Sequence, residues 1–238
     1  MDESKGKQLI ESLLRDPGQF AEDSGVNQLL EEYLNGLSVE TLRPLLRHKD
    51  PWVYSAAVAI TSEMSANASC LIDDIVPLVK DDNLWVRSDA LKSVMMFTFY
   101  VNFDRFIHII AALEQDLDNR SQIMRMVSNA NEGQLSAALY NFEFKTQYEQ
   151  QHKAGLSFLL QDRQSVSDLK VTQMILSDEP IVRIYGAIAM RRFFRFSLDY
   201  VKQFLSSDDE YVRVFAQTII NSWENVKSLP EDSRWEIW

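Results

Sequence analysis

The sequence predicts an all-α chain, a right-handed α-solenoid of stacked helical hairpins, on three observations. A phrase of acidic turn, valine and a small residue four places after the valine returns four times. Apolar residues after each valine follow a helical period, and the 238-residue chain holds only seven glycines and six prolines, which leaves little turn chemistry for a β-rich fold. Self-similarity at this spacing is the mark of repeats that bury their faces on their neighbours.

The four phrases are Asp50-Pro51-Trp52-Val53-Tyr54 with Ala57, Asp82-Asn83-Leu84-Trp85-Val86-Arg87 with Ala90, Asp178-Glu179-Pro180-Ile181-Val182-Arg183 with Gly186, and Asp208-Asp209-Glu210-Tyr211-Val212-Arg213 with Ala216. The first two valines lie 33 residues apart and the last two 30. Asp or Asn ahead of an apolar run caps free backbone N–H groups, and acidic residues suit the positive end of the helix dipole. Each phrase therefore opens a helix. Its core positions are expected at Val53, Ala57, Ile60 and Met64, then Val86, Ala90, Val94 and Phe97, then Val182, Gly186, Ala189 and Phe193, and last Val212, Ala216, Ile219 and Trp223. The small residue in second place lets a partner helix come close. That partner precedes each phrase, in amphipathic stretches at 39–47, 72–80, 166–176 and 198–205.

Pro44 and Pro77 occupy equivalent places in the first two partner helices and are expected to kink both. This pattern resembles the HEAT-repeat family over residues 38–99 and 165–223, and the resemblance is specific to fold rather than to activity. It implies a ladder of Arg and Asp between neighbouring repeats, for which Arg87, Arg183 and Arg213 are candidates and which Tyr54 interrupts.

The expected organisation is one α-solenoid domain. Residues 1–36 form capping helices broken at Asp16-Pro17-Gly18 and Gly36. Residues 37–99 hold two clear repeats, 100–161 two degenerate hairpins, 165–223 two more clear repeats, and 224–238 a tail whose Trp235 and Trp238 fold back on the last helix. The opening residues lack the order of a secretion signal, and the longest apolar run, 94–101, is too short for a bilayer. With Cys70 as the single cysteine there is no internal disulfide, so a reducing, cytoplasmic setting is expected and Cys70 is read as a spectator.

No phosphate loop, nucleophile elbow or metal-ligand spacing occurs, and His48, His108 and His152 fall in different repeats. No catalytic residue, cofactor or metal is expected. The paired carboxylates Asp73-Asp74 and Asp81-Asp82 are read as solvated caps. Formal net charge is −11, with 23 acidic against 13 basic residues in 1–150. Such a field repels nucleic acid and favours a cationic partner. The exception is Arg191-Arg192-Phe193-Phe194-Arg195-Phe196, whose arginines also suit a helix C-terminus.

Trp85 and Asp89 have the Trp and Asp spacing seen in HEAT-like alkylpurine DNA glycosylases, with Trp52 as a further aromatic. That resemblance implies a base-excising enzyme, and the acidic surroundings speak against a DNA groove. HEAT-like bilin lyases have no motif here. The reading the residues favour is a non-enzymatic protein-binding surface, an acidic concave face that takes a basic protein. Its candidate residues are Trp52, Tyr54, Glu63, Asp81, Asp82, Trp85, Arg87, Asp89 and Lys92. An immunity protein that neutralises a cationic toxin domain fits this physical type, and an adaptor or assembly scaffold fits it equally.

Overall fold

A computed structural model describes residues 3–141, 146–194 and 197–227, which form 15 α-helices and six short 3-10 turns with no strand among them. The chain divides into two compact units, residues 1–112 and 113–238. The first holds α1 (Glu3–Arg15), α2 (Pro17–Glu22), α3 (Gly25–Leu34), α4 (Leu42–Leu46), α5 (Pro51–Glu63), α6 (Ile72–Ile75) and α7 (Leu84–Phe97), and the division falls within α8 (Ile107–Gln115). The second holds α9 (Arg120–Asn129), α10 (Glu132–Asn141), α11 (Gln147–Leu159), α12 (Asp168–Ile175), α13 (Pro180–Phe194), α14 (Leu198–Lys202) and α15 (Glu210–Lys227).

In the first unit the opening helices end where their residues require. Asp16 accepts from the Gln19 N–H at 3.1 Å and Pro17 starts α2, so the Asp-Pro-Gly break is a cap followed at once by a new helix. A second break, which the sequence pattern did not mark, is Ser24 in the left-handed region at φ 60. Gly36, at φ 107, closes α3 with the paired bonds of a Schellman motif: Leu37 N–H to Glu32 O at 2.9 Å and Gly36 N–H to Tyr33 O at 3.1 Å.

The phrase helices begin as their caps dictate. Asp50 accepts from Trp52 N–H at 2.9 Å, Asn83 from Trp85 N–H at 3.0 Å, and Asp209 from Tyr211 N–H at 2.9 Å and Val212 N–H at 3.2 Å. The third phrase departs from this pattern. There Ser177 Oγ accepts from Glu179 N–H at 3.2 Å, and the Asp178 carboxylate makes no cap.

The partner helices are shorter than the sequence pattern suggests. Residues 39–46 are a 3-10 turn followed by α4, and residues 72–80 are α6 followed by the 3-10 turn Val76–Lys80. Pro77 stands at the start of that turn, where its missing N–H ends the α-helical ladder.

The phrase arginines do one thing in common. Arg87 donates to the carbonyls of Asp81 and Asp82 at 2.8 and 3.1 Å, Arg183 to those of Ser177 and Asp178 at 2.8 and 2.9 Å, and Arg213 to those of Ser207 and Asp208, the latter at 3.0 Å. Each ties down the orphan carbonyls of the turn before its own helix. Arg120 does the same in a degenerate repeat, donating to Leu113 O at 2.8 Å and Glu114 O at 3.1 Å while lying over the Tyr211 ring. One rung of the expected ladder is present, Arg183 to Asp209 at 2.7 Å. In the first unit the Tyr54 hydroxyl bonds to Asp81, a neutral link in the place of an ionic one.

A second set of links joins the partner helices. Asp74, read as a solvated cap, has a nearly inaccessible side chain that pairs with both Arg43 and Arg47. A carboxylate removed from water needs such partners. Asp73 stays exposed and pairs with Arg105 at 2.7 Å.

Core positions largely follow the predicted period. Val53, Ala57, Ile60, Met64, Val86, Ala90, Val94 and Phe97 are buried in the first unit, and Ala189, Phe193, Val212, Ala216 and Ile219 in the second. Two expected core residues differ, since Val182 and Trp223 are only half-buried while Ile181 and Tyr185 fill the third repeat. Pro180 starts α13 without a cap from Asp178, and the helix presents Ile181 inward. The tail residues Trp235 and Trp238 lie outside the described residues.

Gly186 marks a close approach of α13 to the backbone of α12. A Cβ there would meet the Ile175 backbone nitrogen at 2.7 Å, and main chain cannot swing aside as a side chain can. Gly186→Ala is therefore expected to cost about 1–3 kcal/mol of stability by overpacking. Gly18, whose added Cβ would find its nearest neighbour at 3.7 Å, is the control, and Gly18→Ala should leave stability equal or raised. Urea unfolding followed by helical circular dichroism compares the two.

Candidate protein-binding face

All nine candidate residues lie in the first unit, on α5, α7 and the turn between Lys80 and Leu84. The two helices pack side by side, and cross-links fix their register: Ser62 bonds to Asp89, and Glu63 pairs with Lys92. Trp52 and Trp85 occupy the same place, one residue before the first core valine, and are 62% and 78% exposed. At the equivalent place in the second unit Ile181 is buried and Tyr211 is half-buried against Arg120. Exposed aromatics at this register are thus a property of the first unit. Leu84 beside Trp85 is exposed as well.

The outward stripe of α7 continues through Ser88, Asp89, Lys92 and Met96 to Phe99, while that of α5 runs through Ser55 and Ala59 to Glu63. Phe99, Tyr100 and Val101 are exposed, with the first two rings stacked edge to face at 4.8 Å. This second aromatic group was missed in the sequence, although a signal existed: Phe97 is the last core position, so apolar residues beyond it have no interior left to enter.

The charged candidates are mostly engaged. Arg87 holds its turn, and Asp81 accepts from Asn83 N–H at 2.8 Å and from Tyr54. Burial, helped by Asp81 and Asp82, pushes the Tyr54 hydroxyl above its ordinary pKa. Burial likewise raises Asp89, with Glu63 adding to it and Lys92 and Ser62 opposing. Asp82 remains exposed at the turn. The acidic excess of the unit lies elsewhere. Residues 1–36 hold eight acidic and three basic side chains, whereas residues 37–112 hold nine and seven. The expected acidic face is therefore close to balanced, and the field comes chiefly from α1–α3.

The arginine cluster in the second unit is committed to structure where it is described. Arg191 is buried and donates to Ser128 Oγ at 2.9 Å, and Arg192 donates to Leu159 O at 3.0 Å and Ala130 O at 2.7 Å, closing the ends of α11 and α9. Arg195 and Phe196 lie outside the described residues. Cys70 is exposed in a 3-10 turn beside Glu40 and Arg43, and burial of its sulfur is the main cause of a raised pKa. Among the described residues no group of three or more His, Cys, Asp or Glu is arranged to hold a metal ion, and no helix is long and apolar enough to cross a membrane.

Neither a family model nor a curated protein matches the chain. Solved structures similar to it include two crystal structures of engineered proteins from the Northeast Structural Genomics Consortium. One is 13% identical with a TM-score of 0.37, covering 79% of this chain and 96% of the other, and the second is 15% identical with a TM-score of 0.45, covering 95% and 69%. Similarity at this level carries no argument about function.

The three histidines serve different local ends. His48 Nδ1 accepts from Asp50 N–H at 3.1 Å, and His108 is half-buried with its pKa lowered by burial and by Arg105 and Lys80. His152 is wholly buried in the second unit, with Nδ1 2.9 Å from the Tyr185 hydroxyl, and burial drives its pKa to about 4. Because the folded pKa lies below the unfolded value of 6.5, the unfolded chain takes up a proton first as pH falls. Stability attributable to this residue is intact above pH 6.5, declines between pH 6.5 and about 4 by on the order of 3 kcal/mol, and is flat below. Chemical unfolding across that range should show a shallower acid slope for His152→Gln than for the parent chain. Equal slopes would show that the imidazole does not carry the loss.

Proposed function

We propose that the chain is a non-enzymatic protein-binding α-solenoid, right-handed and of the HEAT-like kind, that docks a basic protein on the outward face of α5 and α7. The observation that carries this reading is the pair of tryptophans, 62% and 78% exposed at one repeated position whose counterparts in the second unit are covered. Large aromatics kept in water at a fixed register are a standing cost in solubility, and at interfaces they are the residues that anchor partners. Around them stand Tyr54, Asp81, Asp82 and Arg87 at one end and Glu63, Asp89 and Lys92 at the other, a polar rim to an aromatic centre.

The negative charge has a separate role in this scheme. With −11 overall and its densest part in residues 1–36, the chain attracts a cationic partner from a distance, while the nearly balanced face makes the contact. A cytoplasmic immunity protein that captures a basic toxin domain combines these requirements, and an adaptor that assembles a basic component does so too. Base excision by Asp89 is the less favoured alternative. Its carboxyl is held by Ser62 with Glu63 close by, and the acidic pair Asp81 and Asp82 just before Trp85 disfavours duplex DNA.

Purifying the native complex and measuring association by stopped flow tests the scheme. The partner should be basic, its association rate should fall steeply between low salt and about 0.2 M, and Asp82→Lys should slow association. Trp85→Ala and Trp52→Ala should each raise the dissociation rate by about tenfold or more while leaving the helical signal unchanged. Asp81 is unsuited to this test, because it also holds Asn83 and Tyr54 in the turn. An acidic partner, or tryptophan variants that dissociate like the parent, would overturn the assignment, and alkylpurine excision that depends on Asp89 would replace it with an enzyme.

A further inference from the structure

The second unit carries an open groove of about 640 Å³ between the turns that precede α13 and α15. Its volume is in the usual range for ligand-binding clefts, about 300–1,000 Å³. Ile175 and Phe204 form a buried apolar floor, and Leu176, 71% exposed, stands at the lip. Arg183 makes one wall, bonded to the carbonyls of its own turn and to Asp209 of the next. Burial acts to raise Asp209, but Arg183 and the N–H groups of Val212 and Tyr211 hold it below the ordinary carboxylate range. These two charges therefore answer each other.

Asp178 and Asp208 do not fit that account. Both line the groove and both are exposed. The arginines nearest to them, Arg183 and Arg213, take their backbone carbonyls instead of their carboxylates. Ser177 bonds to Glu179 N–H within the first of these turns and Asp209 caps α15 in the second, so neither the Asp178 nor the Asp208 carboxylate starts a helix. Among the described residues, no hydrogen bond or ion pair engages either carboxylate. In the first unit the corresponding turn aspartate, Asp82, is exposed in the same way and likewise gives its backbone carbonyl to an arginine, Arg87.

We propose that this groove binds an extended cationic segment of a protein partner, with a Lys or Arg side chain reaching the carboxylates of Asp178 and Asp208 and the adjoining apolar side chain resting on Leu176 and Phe204. The occupant follows from complementarity. Two carboxylates without an internal counterion flank an apolar floor, a combination that repels phosphate and suits alternating basic and apolar residues. The groove belongs to the second unit and does not depend on the α5 and α7 face, so either assignment can fail alone.

The probe is the peptide acetyl-Leu-Arg-Leu-Arg-amide, titrated into the full chain and followed by amide chemical shifts, with acetyl-Leu-Glu-Leu-Glu-amide as its counterpart. The cationic peptide should shift Leu176, Asp178, Arg183 and Asp208 saturably, and the acidic one should not. Asp178→Asn combined with Asp208→Asn should weaken binding about fivefold, since two exposed pairs of ordinary strength are lost. Leu176→Ala should weaken it too, whereas Asp199→Asn, an exposed acid on α14 outside the groove, should leave it unchanged. Shifts centred elsewhere, parental affinity in the Asp178 and Asp208 double variant, or equal weakening by Asp199→Asn would overturn the site.

Discussion

The structure depends on how each turn between a partner helix and its phrase helix is held. A helix end leaves carbonyls without donors, and here they sit where the chain must reverse within a few residues. An arginine one place past the phrase valine reaches back and supplies the donors, at Arg87, Arg183 and Arg213, and Arg120 repeats the device where the phrase is absent. At Arg183 the same guanidinium also pairs through Nε with Asp209 while Nη1 holds the carbonyls, a second partner that lysine's single nitrogen could not hold in that geometry. Once the turn is closed this way, the next helix leaves in a fixed direction, and the valine, the small residue and the inward apolar positions follow.

Much of this was legible in the primary structure, and the limits of legibility are physical. Helical period and capping identified α5, α7, α13 and α15, because those signals are local. Ile181 taking the place expected of Val182 depends on how α13 is rotated in its packing, which no local signal gives, since α5 also starts with proline at this register and buries Val53. Asp74 could not be told from Asp73 by sequence, since adjacent residues on a short helix point only about 100° apart and the position of Arg43 and Arg47 decides which is buried. The candidate face was legible as a set of residues brought onto two adjacent helices. Its electrical character was not, because a count of charges does not say which have already found a counterion.

That distinction between charge carried and charge available recurs throughout. Glu63 and Lys92 cancel, Asp74 is matched by two arginines, and Arg191 and Arg192 close helix ends. The exposed aromatics with Asp82 in the first unit, and Asp178 with Asp208 in the second, are among the groups left in water. Long-range attraction scales with the total, whereas contact chemistry scales with the remainder.

The brevity of the partner helices has a consequence in time. Neither α4 nor α6 is longer than five residues, and each leans on a 3-10 segment with poorer hydrogen-bond geometry. A helix of this length cannot meet its own nucleation cost, so α4 and α6 persist because α5 and α7 are already formed beside them. Amide exchange should therefore be fastest in residues 39–46 and 72–80 and slowest in the phrase helices. The molecule breathes in its partner helices, while α5 and α7 stay in register through those openings.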